Sequence, residues 1–295
     1  MKICDCTIFF DEKMMYEIRL NSLNDYVDKF IVAESLFTHS GKKKKQNFNI
    51  NDYPKFKDKI HYILLDTEPS DLYNIDESTV DKTGLLRMNS LKRIEQQYNS
   101  LSKGFENIAE DDLIILSDCD EIPNLNHLNK NKINNDILIF KQKIFYYKFN
   151  LQHSRMDWFG SKACKKKIFK NFNWLRNVKN RKYPFWRIDT YFSDTKFNNL
   201  QIIDNGGWHF SKVKNEKDIF YTLSNYGEHN EFELSGLTET DIKNLISNEQ
   251  LYFNHSGDKK LENKYSAKIK LNKASINDMP KYLIDNQKKF KDWLV

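Results

Sequence analysis

Leu113-Ile114-Ile115-Leu116 runs straight into Ser117-Asp118-Cys119-Asp120-Glu121-Ile122-Pro123. Large apolar residues in unbroken succession read as a short strand buried on both faces. Carboxylates just past such a strand sit where open α/β sheets take their ligands, at the carboxyl edge. Asp118 and Asp120 are oxygen donors, the kind that hard divalent cations such as Mg²⁺ and Mn²⁺ prefer. A cation held there can in turn grip a diphosphate. A solvated acidic turn has the same composition, so the motif needs support from elsewhere in the chain.

Three other segments carry chemistry. Glu34-Ser35-Leu36-Phe37-Thr38-His39-Ser40-Gly41 follows a second apolar run, and its polar atoms suit a ribose or a base. Lys42, Lys43, Lys44 and Lys45 come next and attract phosphate, or form a solvated basic turn. No Gly-x-x-x-x-Gly-Lys-Ser/Thr occurs, so a P-loop is excluded. Asn205-Gly206-Gly207-Trp208-His209-Phe210-Ser211 places an imidazole after two permissive glycines. His209 is either a third metal ligand beside Asp120 or a satisfied core histidine. Glu228-His229-Asn230-Glu231 offers a base or a second metal contact, or ends a helix in solvent. Arg87 suits a diphosphate, because guanidinium binds phosphate oxygens in a fork. Trp158, Trp174 and Trp186 can stack on a sugar face or fill the core.

The elements that must position these residues alternate. Residues 2–10, 30–33, 60–65 and 113–116 read as strands, with helices over 12–24 and 85–101 and a loop over 67–83. That order predicts an α/β protein with a largely parallel sheet under helical cover. The second half is less regular. Residues 136–149 and 200–203 are strand-like, and 217–226 reads as a helix that ends at 228–231. Thr238 caps a further helix to 248, and 280–294 reads as a docked terminal helix. No linker or repeat divides the 295 residues, so one domain is expected. The net charge of +6 favours an anionic ligand, but the lysines are scattered and nucleic acid is not an expected partner. Cys4, Cys6, Cys119 and Cys164 lack zinc spacing, and Cys4 and Cys6 on one strand face cannot easily bridge, so free thiols are expected. No leader-like or membrane-spanning stretch is apparent, which predicts a soluble, cytoplasmic chain.

Taken together and in order, several segments resemble glycosyltransferase family 17. They are 5–10, Arg19-Leu20-Asn21, 27–34, Thr38-His39-Ser40-Gly41, 117–123, Gly206-Gly207-Trp208-His209-Phe210-Ser211 and Pro280-Lys281-Tyr282-Leu283. That family includes the β-1,4-mannosyl-glycoprotein β-1,4-N-acetylglucosaminyltransferases. The resemblance implies a GT-A-type nucleotide-diphospho-sugar transferase fold with a mixed, mainly parallel sheet. It implies a nucleotide-sugar-binding half over 1–125 and an acceptor-side half over 126–295. The implied donor is a UDP-sugar, the implied sugar N-acetylglucosamine, the acceptor a glycan and the cofactor Mn²⁺ or Mg²⁺. Asp118, Asp120 and His209 then hold the metal. Glu34, Thr38, His39, Ser40, Gly41, Lys42 and Arg87, with Asp118, hold the donor. Trp158 and Trp208 meet the sugars. Inverting transfer needs a carboxylate base, for which Glu231 comes first and Asp189 second.

Departures from the family pattern are local. Its Gly-Lys-Pro-Lys-Pro turn is Gly41-Lys42-Lys43-Lys44-Lys45 here, without the stiffening prolines. Leu86 precedes Arg87 where Gln is expected, and residues 150–199 match poorly, so the acceptor does not carry over. A nucleotidyltransferase using the same metal carboxylates, and a non-catalytic basic binding protein, are the competing readings.

Overall fold

Strand β1 (Ile3–Phe9) is buried at every residue because it has parallel neighbours on both sides in the middle of a seven-stranded sheet. The computed structural model describes residues 1–126, 128, 133–253 and 269–295. Around β1 lie β2 (Lys29–Ser35), β3 (Ile60–Leu65) and β4 (Leu113–Leu116), all parallel to it, in the order β3-β2-β1-β4. Past β4 the sheet continues with β9 (Lys162–Lys165), antiparallel to both of its neighbours, then β6 (Ile137–Phe140) and β10 (Leu200–Ile203).

Alternation along the strands sends side chains to two layers. Phe9, Phe30, Val32 and Ile115 pack under helix α1 (Lys13–Leu23) through Met15, Ile18 and Leu20. Cys4, Cys6, Ile31 and Ala33 face the other way, toward Tyr98 of α2 (Lys82–Ser100) and Phe172 and Leu175 of α3 (Phe172–Asn177). Cys4 and Cys6 therefore share a face, and all four cysteines are free and buried.

The sequence pattern pointed to one sheet; the molecule has a second. It has five strands and is mostly antiparallel, running in the order Asn272–Lys273 (β12), Leu151–Trp158 (β8), Gln142–Tyr146 (β7), Gly207–Ser211 (β11) and Glu121–Pro123 (β5). Its rim strands are two and three residues long, one of them ending in proline, too short to show a period. Three helices cover its neighbourhood: α4 (Glu216–Leu223), α5 (His229–Leu234) and α6 (Glu239–Ser247), the last with a reciprocal Thr238–Asp241 capping box.

Two helix expectations need correction. The segment 228–231 does not simply end a helix; it opens α5. The terminal helix is confined to Lys281–Asp285, because the Asn286 amide bonds the Tyr282 carbonyl at 2.9 Å and competes with the helical ladder. The tail still docks through buried Leu283 and Phe290. Among the described residues no helix is long and apolar enough to cross a membrane.

Candidate active site

The chain leaves the first sheet at Leu116 and enters the second at Glu121, so Asp118 and Asp120 sit on the seam between them. A buried cation holds this turn from below. Arg19 of α1 is fully buried and forks onto Asp5 of β1, with Nε–Oδ2 2.7 Å and Nη2–Oδ1 2.5 Å. Its Nη1 donates to the backbone carbonyls of Asp118 at 3.1 Å and Glu121 at 2.6 Å. Burial works against charge on Arg19, but the facing Asp5 outweighs it and the guanidinium is held more firmly protonated than usual.

The carboxylates differ in their surroundings. Tyr98 donates its hydroxyl to Asp118 Oδ1. Glu121 accepts from the Asp118 N–H at 2.9 Å and from Trp158 Nε1 at 2.6 Å, so it orients the turn. Burial first, and Asp118 second, push the Glu121 carboxyl up. Asp120 Oδ2 lies 3.6 Å from His209 Nε2, because the β5–β11 register sets His209 opposite Glu121. Burial raises the Asp120 carboxyl, but the His209 charge overcomes this and holds it below its ordinary value. The His209 ring packs on Trp158 at 4.6 Å between centroids, and its buried Nδ1 has no hydrogen-bond partner among the described residues.

Asp118, Asp120, His209, Trp158, Arg176 and Lys212 line one cavity of about 460 Å³. A second, of about 240 Å³, shares Asp118, Arg176 and Lys212 and adds His39, Arg87, Leu91 and Ile94. Arg176 lies over the Tyr98 ring at 4.8 Å and Lys212 over the Tyr226 ring at 4.8 Å. Among the described residues neither cation is ion-paired, whereas neighbouring Lys214 is neutralised by Asp11. The cleft thus brings Asp118 and Asp120 together with two cations that have no ion pair among the described residues. Among the described residues no three of His, Cys, Asp or Glu converge as a protein-only metal cage. The donor set suits a divalent cation whose remaining ligands are phosphate oxygens and water.

Over its whole length, residues 1–295, the chain matches the model of Glycosyltransferase family 17. It belongs to that family. No curated protein matches it in sequence. Among solved structures it is similar to 4-diphosphocytidyl-2C-methyl-D-erythritol synthase, at 11% identity and TM-score 0.38 over 75% of this chain and 96% of that one. It is also similar to HddC from Yersinia pseudotuberculosis, at 12% identity and TM-score 0.31 over 72% and 91%. The inositol-1-phosphate CTP transferase from T. maritima gives 11% identity and TM-score 0.31 over 76% and 96%.

In this family 17 glycosyltransferase several residues lie away from the positions their expected roles require. Glu34 does not face the cleft. Its oxygens accept from Lys44, from the Asn47 and Phe48 N–H groups at 2.7 and 3.0 Å, and from Tyr62 Oη at 3.0 Å, which leaves no lone pair for a ribose. It anchors the lysine turn instead. Thr38, Ser40, Gly41 and Lys42 build that turn through Thr38 N–H to Lys42 O at 2.8 Å and Gly41 N–H to Thr38 O at 2.9 Å. Gly41 has φ +92°, and a Cβ there would strike Arg93, so the turn is tight without the prolines. Trp208 is on the strand face opposite His209, with its Nε1 bonded to Asp278 O at 2.6 Å beside the C-terminal segment. Arg87 and Glu231 bond each other at 2.7 Å, and Asp189 is held by Arg187 and Lys196 outside both cavities. The two ion pairs lower Asp189 below the usual carboxylate range, which makes it a poor base.

Arg176 and Lys212 were not singled out by sequence reasoning. Arg176 lies in a stretch with no clean period. Lys212 directly follows the Trp-His-Phe-Ser segment, where a left-handed turn at φ +54° aims it into the cleft.

His39 is the member of the 38–42 turn that lines the smaller cavity. Burial pulls it down to about 4, and its Nδ1 has no partner among the described residues. The unfolded histidine titrates near 6.5, so on acidification the unfolded state takes up this proton first. Stability from the neutral ring is fully present above about pH 6.5 and is lost as pH falls toward about 4, by roughly 3 kcal/mol in all. Urea unfolding across this window should show a smaller acid loss in His39→Gln than in the wild type. An unchanged loss would assign the acid sensitivity to other groups.

Proposed function

We propose that the cleft transfers a sugar, N-acetylglucosamine by family resemblance, from a UDP-sugar to a glycan hydroxyl with inversion and with Mn²⁺ or Mg²⁺ bound. One observation carries this reading: Asp118 and Asp120 line the same cavity as Arg176 and Lys212, cations without an ion pair among the described residues, at the carboxyl edge of parallel strands. A diphosphate needs both, since its oxygens take guanidinium and ammonium donors directly and carboxylates only through a cation. A basic binding protein has no use for the paired aspartates, and family membership favours sugar transfer over nucleotidyl transfer.

Asp118 and Asp120 would hold the metal together with phosphate oxygens and water, with His209 beside Asp120, and the bound metal would neutralise charge on the departing diphosphate. Tyr98 and Glu121 fix the Asp118 carboxylate and its backbone, so the turn is set before the donor arrives. The smaller cavity takes the nucleoside, between Leu91, Ile94 and the neutral His39. The larger cavity takes the sugar and acceptor beside the Trp158 face. Glu228 lines both cavities and is exposed, and among the described residues its carboxylate has no side-chain partner. We assign it the proton of the acceptor hydroxyl. The acceptor oxygen bonds the anomeric carbon as the bond to diphosphate oxygen breaks, through an oxocarbenium-like transition state, and the proton passes to Glu228.

Calorimetry of UDP and a panel of UDP-sugars, with and without Mn²⁺, tests this reading. Metal-dependent binding with one sugar preferred is the expected result. Folded protein that binds no uridine diphosphate in either condition would overturn it.

A further inference from the structure

We propose that residues 181–192 form a docking surface for an anionic lipid bilayer. Phe185, Trp186, Ile188, Tyr191 and Phe192 are each between 69% and 87% exposed, within eight residues. Lone apolar side chains are ordinary on a protein surface, but a contiguous aromatic patch marks a contact. The ridge is built rather than frayed. Arg187 N–H donates to Pro184 O at 3.2 Å, Thr190 N–H to Arg187 O at 3.1 Å and Tyr191 N–H to Ile188 O at 3.1 Å. Phe185 and Trp186 meet edge to face at 5.1 Å.

Charge identifies the partner. At the base of the ridge the buried Tyr183 ring gathers Arg181 at 4.8 Å, Arg187 at 5.4 Å and Lys196 at 5.8 Å. Lys179 and Lys182 flank it in solvent. Asp189, the carboxylate of this stretch, is already neutralised by Arg187 and Lys196. A ring of cations beneath exposed Trp, Tyr and Phe matches a bilayer interface, where aromatic rings settle at headgroup depth and cations meet lipid phosphates. A second copy of the same cationic patch would repel it. The surface also lies close to the cleft in the chain, because Asn180 shares a side cavity with Asp118, Glu121 and Arg176. Docking there would present the cleft to an acceptor carried on a membrane. The inference concerns the surface alone and stands whether or not the reaction proposed above is correct.

Co-sedimentation with vesicles of phosphatidylcholine, alone or mixed with phosphatidylglycerol, tests it. The wild type should bind the mixed vesicles only and release as salt is raised. Phe185→Ser with Trp186→Ser should weaken binding at least about tenfold while UDP-sugar binding stays unchanged. Arg181→Gln with Lys182→Gln should also weaken it and leaves the aromatic ridge intact, which keeps the test open if the first variant misfolds. No binding to the mixed vesicles, equal binding to neutral ones, or wild-type binding by either variant would overturn the proposal. So would self-association of the wild type that the aromatic variant abolishes, since the patch would then belong to a second copy.

Discussion

Asp120→Asn is expected to lower metal-dependent sugar transfer by about 10³-fold, the scale on which loss of one preorganised electrostatic contact acts on a transition state. The amide keeps the volume of the carboxylate but not its charge, so it is a far weaker ligand for a hard cation. The fold should survive, because the Asp120 backbone carbonyl still accepts from the Phe210 N–H at 2.8 Å. Glu228→Gln makes the contrast. It should lower turnover by about 10²–10⁴-fold while donor affinity is retained, since a base acts after binding. Parallel calorimetry and initial-rate measurements distinguish the two, with metal-dependent UDP binding weakened only in Asp120→Asn. Full activity in Asp120→Asn, with metal still required, would remove Asp120 from the metal site. Full activity in Glu228→Gln would return the search for a base to the other carboxylates of the cleft.

What the sequence disclosed follows from which interactions are local. The Leu-Ile-Ile-Leu run ending in Asp118 fixed a strand and its carboxyl edge, because an apolar run of that length is buried wherever it goes. The order of strands and helices in the first 120 residues likewise gave the parallel core. Trp208 shows where local reading fails. It adjoins His209 in sequence, yet one step along a strand turns it to the opposite face, toward Asp278. Glu34 fails differently. Its strand-end position is local and legible, but the partners that occupy its oxygens come from the following loop and from β3. Lys44, one of the lysines expected to attract phosphate, is spent on it. The cations that do face the cleft come from a short helix in an irregular stretch and from a left-handed turn, and neither leaves a period. Glu121 reached its orienting position through a β5–β11 pairing between strands more than eighty residues apart.

Arg19→Met should cost about 3–5 kcal/mol of stability, the usual penalty for stripping one partner from a buried ion pair. Asp5 is 1% exposed on the α1 face of β1, and would be left charged there with its guanidinium partner gone. Urea unfolding measures this directly. The single variant alone cannot separate stability from the site, because Arg19 also binds the Asp118 and Glu121 carbonyls. Arg19→Met with Asp5→Leu separates them. It removes both charges, so most of the stability should return, as buried pairs are often replaced by apolar residues at little cost. Sugar transfer should not return with it, because the turn carrying both aspartates has lost the donor that fixes its two carbonyls and small displacements of such groups are expensive in rate. The double variant would then be folded, bind UDP-sugar with altered metal affinity, and turn over slowly. Wild-type turnover in a stable double variant would mean that the pair only fills the core beneath the site. A loss below about 1 kcal/mol in Arg19→Met would mean that Asp5 protonates or finds water, and that the ion pair does not hold the seam between the sheets.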